Sequence, residues 1–360
     1  MRRYTGIWGL LLLLSTGCGG DFEERYTPVK SAFGEINQLV VVAEEELYDG
    51  PVGDTLQYYL SSPELILPQP EPIFDLVHFT GRELDAVPSR RQFMTYALLA
   101  TTQEPLSRAA QYVKEAVGAE KFNTVANGEK AFTTIIGRNQ WADGQLVFYL
   151  IGQSDDALIA GIRQSYASIV SRIRARELTR IEATTYAVNG VNRALEERVR
   201  EAMDVQLRIP QGYVEALHSE GDQMMWLRRE SNQASYNILL KRYPYRSTEQ
   251  FDRDTLLRLQ NALGRRYIST TLPNTYMRVN DKDLPFLTKP VQVNGAYALE
   301  ARGIWDIVND FMGGPFLSYL ILDEQRKEVL LAVGFIHAPG EKKRDLQQSM
   351  EVVLNSIRLE

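Results

Sequence analysis

The chain has 360 residues, 44% apolar and 24% charged, with a formal net charge of −6 and a single cysteine, Cys18. The acidic balance argues against nucleic acid as a partner and against adsorption to anionic lipid through charge. One cysteine excludes an internal disulfide and a thiolate metal cluster, and the length suggests about two domains.

The amino terminus has the layout of an export signal. Arg2 and Arg3 precede an apolar stretch from Gly6 to Leu14, then the small residues Ser15, Thr16 and Gly17. That stretch is too short to cross a bilayer as a helix. LSTGC, ending at Cys18, resembles a bacterial lipobox, with Ser15 where leucine is usual. The resemblance implies a signal peptide over 1–17 and a diacylglycerol on the Cys18 thiol. Each buried methylene contributes about 0.8 kcal/mol, so two or more acyl chains hold firmly. The expected partner is therefore the membrane, through N-terminal acyl chains. The expected location is the outer membrane of a cell envelope, on its periplasmic face or its surface. Without residues 1–17 the net charge becomes −8. Asp21, Glu23 and Glu24 resemble surface-export signals of Bacteroidetes lipoproteins and equally suit a solvated tether over 18–30.

Residues 31–152 read as an N-terminal α/β domain. INQLVVVA, 36–43, is a nearly unbroken apolar run, as in a strand buried on both faces. The turn-rich LYDGPVGD and a helix near 55–60 follow. PELILPQPEP, 63–72, carries four prolines and is extended loop. Strands are expected at 73–79 and 93–101, then a helix striped by Leu106, Ala109, Ala110, Val113 and Val117. The stretches 133–138 and 145–151 flank Asp143-Gly144, a hairpin signal.

Residues 153–203 read as a helical connector. Ser154 or Asp155 caps it, Leu158, Ile162, Ile169 and Ile173 stripe it, and Asn189-Gly190 breaks it. Its arginines, among them Arg174 and Arg180, read as a solvated face near acidic residues of the same chain. Residues 204–360 form the second domain. Strands are expected at 205–210, 224–230, 234–242, 291–308, 316–322 and 328–337. One helix opens at Ser247 with Gln250 as capping-box partner, and a last helix is striped by Leu346, Met350, Val353, Leu354 and Ile357. The fold class is α/β and α+β: two α/β sandwich domains joined by a long helical segment, the second an antiparallel sheet flanked by helices.

Signatures of chemistry are sparse. His78, His218 and His337 are isolated, so no zinc spacing exists, and no metal or cofactor is expected. There is no G-x-S-x-G and no phosphate loop; Gly50, Pro51 and Asp54 suit turn and cap roles. EARGIWDIVNDFMGGPF stands out. Alternation from Ala298 puts Glu300, Arg302, Asp306 and Asp310 on one face, with Glu300 and Arg302 close enough to pair. These four are the candidate binding surface.

ELYDGPVGD with LPQPEPIFD, EARGIWDIVNDFMGGPF, and FIHAPGEKKRDLQQSMEVVLNSI resemble the Bacteroidetes lipoprotein family known as domain of unknown function 4837, over nearly all of the mature chain. The resemblance implies a lipoprotein and brings no activity. The order of elements over 204–360 is similar to the Mog1 and PsbP group of α/β/α sandwiches, which work mostly through protein contacts. Two functions stay open. One is a non-catalytic binding or assembly module for an envelope protein or surface component. The other is a hydrolase, or other enzyme of envelope polymers, acting through the Glu300, Arg302 and Asp306 face.

Overall fold

The computed structural model describes residues 30–187 and 190–360. Cys18, the apolar run before it and the acidic Asp21, Glu23 and Glu24 lie outside the described residues.

The first domain runs β1 (Gln38–Val42), α1 (Glu45–Tyr48), α2 (Pro51–Leu60), β2 (Asp75–Phe79), α3 (Gly81–Ala86), β3 (Thr95–Thr101), α4 (Arg108–Val117), α5 (Ala119–Ala126), β4 (Phe132–Arg138), β5 (Leu146–Gly152) and α6 (Asp155–Ala187). Its five-stranded sheet has the order β2-β1-β3-β5-β4, parallel except for β4, which forms the expected hairpin with β5. β1, β3 and β5 are apolar runs because both their faces are covered. Leu39, Val41, Leu99 and Phe148 join Leu56, Leu158 and Ile162 in one core. Their neighbours Val40, Val42, Leu98 and Val147 join Leu84, Val113 and Phe122 in another.

The 33 residues of α6 span about 50 Å. Leu158, Ile162, Ile169 and Ile173 belong to the first domain's core, whereas Ile181 and Tyr186 form a small cluster with Val352 of the second domain. The stretch expected as a connector thus divides. The helix before Gly190 is a layer of the first domain. The helix after it, α7 (Arg193–Met203), is capped by Asn192 and buries Leu195, Val199 and Met203 in the second.

The second domain continues with β6 (Val205–Gln206), β7 (Val214–Ser219), β8 (Met224–Glu230), β9 (Ser235–Pro244), α8 (Arg253–Tyr267), β10 (Tyr276–Val279), β11 (Leu287–Val293), β12 (Ala296–Val308), β13 (Gly313–Asp323), β14 (Glu328–His337), α9 (Arg344–Leu354) and β15 (Arg358–Leu359). Its sheet has eight antiparallel strands: seven follow the order β10-β12-β13-β14-β9-β8-β7, and the eighth, β11, shares the outer edge of β12 with β10. α7 and α9 cover one face and α8 the other. Both domains are α/β sandwiches, the second built on an antiparallel sheet.

Three expectations change in detail. The strand expected over 291–308 is two strands, because Asn294 (φ 47°) and Gly295 (φ 91°) make the double positive-φ turn of a tight hairpin. Of the strand expected over 205–210 only Val205–Gln206 forms one, paired with β15, while Pro210 makes an isolated bridge to Val191. Ser247 and Gln250 do form a capping box, but around a single 3₁₀ turn; α8 begins at Arg253, where Asp252 accepts from the Thr255 N–H at 2.6 Å.

Candidate binding cleft

Alternation along β12 turns Ala298, Glu300 and Arg302 toward the α9 side, while Leu299, Ala301 and Trp305 enter the core under α8. The register sets Lys289 of β11 and Tyr319 of β13 on either side of Glu300. Arg302 Nε donates to Glu300 Oε1 at 2.7 Å, and Arg302 Nη2 donates to Glu351 Oε1 of α9, also at 2.7 Å. Lys289 Nζ lies 3.2 Å from the same Glu300 oxygen. Burial opposes the charge on Arg302, but the carboxylates of Glu351 and Glu300 outweigh it and hold the guanidinium above the ordinary arginine value. Burial, and then the same two carboxylates, push the Tyr319 hydroxyl up, so it remains a protonated donor.

Asp306 and Asp310 do not join this group. Asp306 shares the face of Glu300 but lies six residues further along, about 20 Å in an extended strand. There β12 has changed partner from β11 to β10, and Asp306 forms an exposed pair with Arg278 at 2.7 Å. Asp310 lies beyond the end of β12, in the turn to β13, and accepts from the Phe311 N–H at 2.7 Å. The candidate surface therefore splits: one pair enters a cleft, and the two aspartates sit away from it.

The cleft encloses about 570 Å³ between the two domains. Its walls are Arg174 to Ile181 of α6, Glu64 to Leu67 of the proline-rich loop, Leu287 to Lys289 of β11, and α9. Arg174 fastens the loop through Glu64 Oε2 at 2.6 Å. Ile66 is held at φ 62°, a left-handed conformation that a β-branched residue resists. Leu65, Leu178 and Leu287 stay 70%, 44% and 45% exposed at this cleft.

The domains meet through polar contacts beside the cleft. α9 has no side-chain cap of its own. Glu71 of the first domain supplies one, accepting from the Lys343 N–H at 2.6 Å and the Arg344 N–H at 3.0 Å. Buried Arg344 answers by donating to Pro72 O and to Asp75 Oδ2, each at 2.7 Å. Asn37 Nδ2 donates to Asp345 at 2.9 Å and to Gln348 at 2.7 Å. Two acceptors lining the cleft, Asn37 Oδ1 and Gln347 Oε1, are buried without a donor.

The histidines take structural places. His78 stacks on Tyr48 at 3.9 Å and contacts Ala43 O at 3.1 Å; His337 contacts Gly313 O at 3.3 Å; His218 contacts Arg198 at 3.0 Å. Among the described residues no group of three or more histidine, cysteine or carboxylate side chains could hold a metal. Pro51 opens α2, and a Cβ on Gly53 would meet Tyr48 O at 1.7 Å, so close approach of α1 and α2 explains this loop. At the carboxyl end of β1, Glu44 accepts from the Ala109 N–H at the start of α4, at 3.2 Å, and fills the place where α/β sheets commonly take ligands.

The class is thus a pair of α/β sandwiches sharing an interdomain cleft. Residues 192–356 match the family described as domain of unknown function DUF4837, and residues 32–186 match a second, described as domain of unknown function DUF8532. The DUF4837 match covers the second domain and supports the resemblance expected there. The resemblance expected over nearly the whole mature chain is shared between two families, divided where the two cores divide. No curated protein matches the chain.

Proposed function

We propose that the protein is a non-catalytic binding or assembly module of the cell envelope, anchored through acyl chains on Cys18, with its ligand site in the interdomain cleft. One observation carries this reading. The carboxylates lining the cleft, Glu64, Glu177, Glu300 and Glu351, are each paired with a cation, while leucines from three separate segments stay exposed at it. Acid–base catalysis needs a carboxylate within hydrogen-bond reach of substrate; Glu300 is buried and its oxygens are engaged by Arg302, Lys289 and Tyr319. The alternative, an enzyme of envelope polymers, rests on Glu300 and Arg302 sharing a cleft, and it loses Asp306 as a partner.

The test is hydrogen–deuterium exchange on the full chain with and without an extract of its own envelope. The expected result is protection of 64–67, 174–181 and 287–289. Protection confined to other segments, or release of cleaved polymer, contradicts it. The anchor is tested separately: Cys18→Ala should leave the membrane fraction, and its retention there without detergent contradicts lipidation.

A further inference from the structure

Resting on the cleft as ligand site, we propose that its occupant is an amphiphile: an apolar acyl chain on the leucines and an anionic head on Arg174 and Lys289. The charge arrangement selects the head. In each of the two ion pairs at the mouth the cation is the outer member: the Arg174 side chain is 46% exposed against 20% for Glu64, and Lys289 is 62% exposed against 6% for Glu300. The cleft thus shows positive charge to solvent although the chain as a whole is acidic. Arginine and lysine carry more N–H donors than one carboxylate contact uses, so both can accept a further anion.

Leu65, Leu178 and Leu287 come from a loop, a helix and a strand and form an exposed apolar lining beside those cations. The volume of about 570 Å³ lies within the range of small-molecule sites. An added peptide strand fits less well. β11 is the strand a peptide would extend, and Pro290 in its middle removes a backbone donor. Ile66 holds the loop turn in a strained conformation, a kind of outlier that clusters at ligand clamps.

The test titrates the full chain carrying Cys18→Ala, purified without detergent, with dodecanoate below its micelle concentration. Monolaurin, dodecyltrimethylammonium and acetate are the comparators. Dodecanoate should bind saturably and protect 174–178 and 287–289 from exchange. Arg174→Gln and Lys289→Gln should each weaken it about tenfold while leaving monolaurin unchanged, and Leu178→Glu should abolish it. Equal binding of monolaurin or dodecyltrimethylammonium overturns the anionic head. Tighter binding of an apolar peptide with a free carboxylate overturns the acyl chain. If an envelope extract protects the cleft and dodecanoate does not, the amphiphile fails and the cleft reading survives; if neither protects it, both fail.

Discussion

Asp85 sits at the centre of a surface cluster in the first domain. Arg108 Nε donates to it at 2.6 Å, and Arg91 and Tyr112 also contact it. The hydrogen bond from Arg108, then that from Tyr112, draw its carboxyl down to about 2 from 3.8. A carboxylate depressed in the folded state adds stability above its unfolded pKa and loses it as pH falls through the folded one. The stability gap between wild type and Asp85→Asn should therefore be fully open above pH 3.8 and close toward pH 2, followed by urea titration at each pH. A gap that does not change over that window contradicts the assignment. In the cleft, Arg302→Leu leaves Glu300 and Glu351 without their shared cation. Arg302 and Glu351 are each 25% exposed and Glu300 keeps Lys289, so the loss should fall below that of a fully buried pair, about 1.5–3 kcal/mol for the charged hydrogen bonds removed, read by denaturant unfolding. Tyr319→Phe removes one hydroxyl donor and should cost about 1 kcal/mol.

Among the elements, α9 depends most on a distant residue. Its apolar stripe is legible in sequence, and Met350, Val353 and Leu354 are buried as expected. Its cap is not legible, because Glu71 lies 272 residues from Lys343 and no local pattern links them. Glu71→Ala should destabilise the chain by about 1–2 kcal/mol, as loss of an N-cap does, and should speed exchange of the Lys343 and Arg344 amides. Unchanged exchange there contradicts the capping role. β1, β3 and β5 are legible for the opposite reason: burial on two faces writes an unbroken apolar run. The β11–β12 turn was also written locally, in Asn294-Gly295, but the apolar residues on both sides suggest one long strand. Alternation correctly paired Glu300 with Arg302. It carries no distance, so it could not reveal that Asp306 lies where β12 meets a different neighbour.

At the scale of the molecule, the two domains share the trans cap, the Arg344 and Asn37 hydrogen bonds, and the Ile181–Tyr186–Val352 cluster. They should unfold in one calorimetric transition. Glu71→Ala combined with Arg344→Ala should separate it into two; a double variant that still melts in one step contradicts the polar clamp. The cleft itself was invisible in the sequence, since its walls come from segments brought together only when the domains dock. Glu64, Leu178 and Lys289 carry no shared motif; of the cleft's residues, sequence singled out Glu300 and Arg302 as a binding surface and read 63–72 as extended loop. Photo-crosslinking in cells that produce the protein tests whether this cleft meets the ligand. A benzophenone side chain replaces Leu178 in the cleft or, as comparison, Leu106, which is 84% exposed beside α4. A discrete adduct from position 178, absent from position 106 and lost on adding Arg174→Gln, is the expected result. Equal adducts from both positions, or none from 178, contradict it.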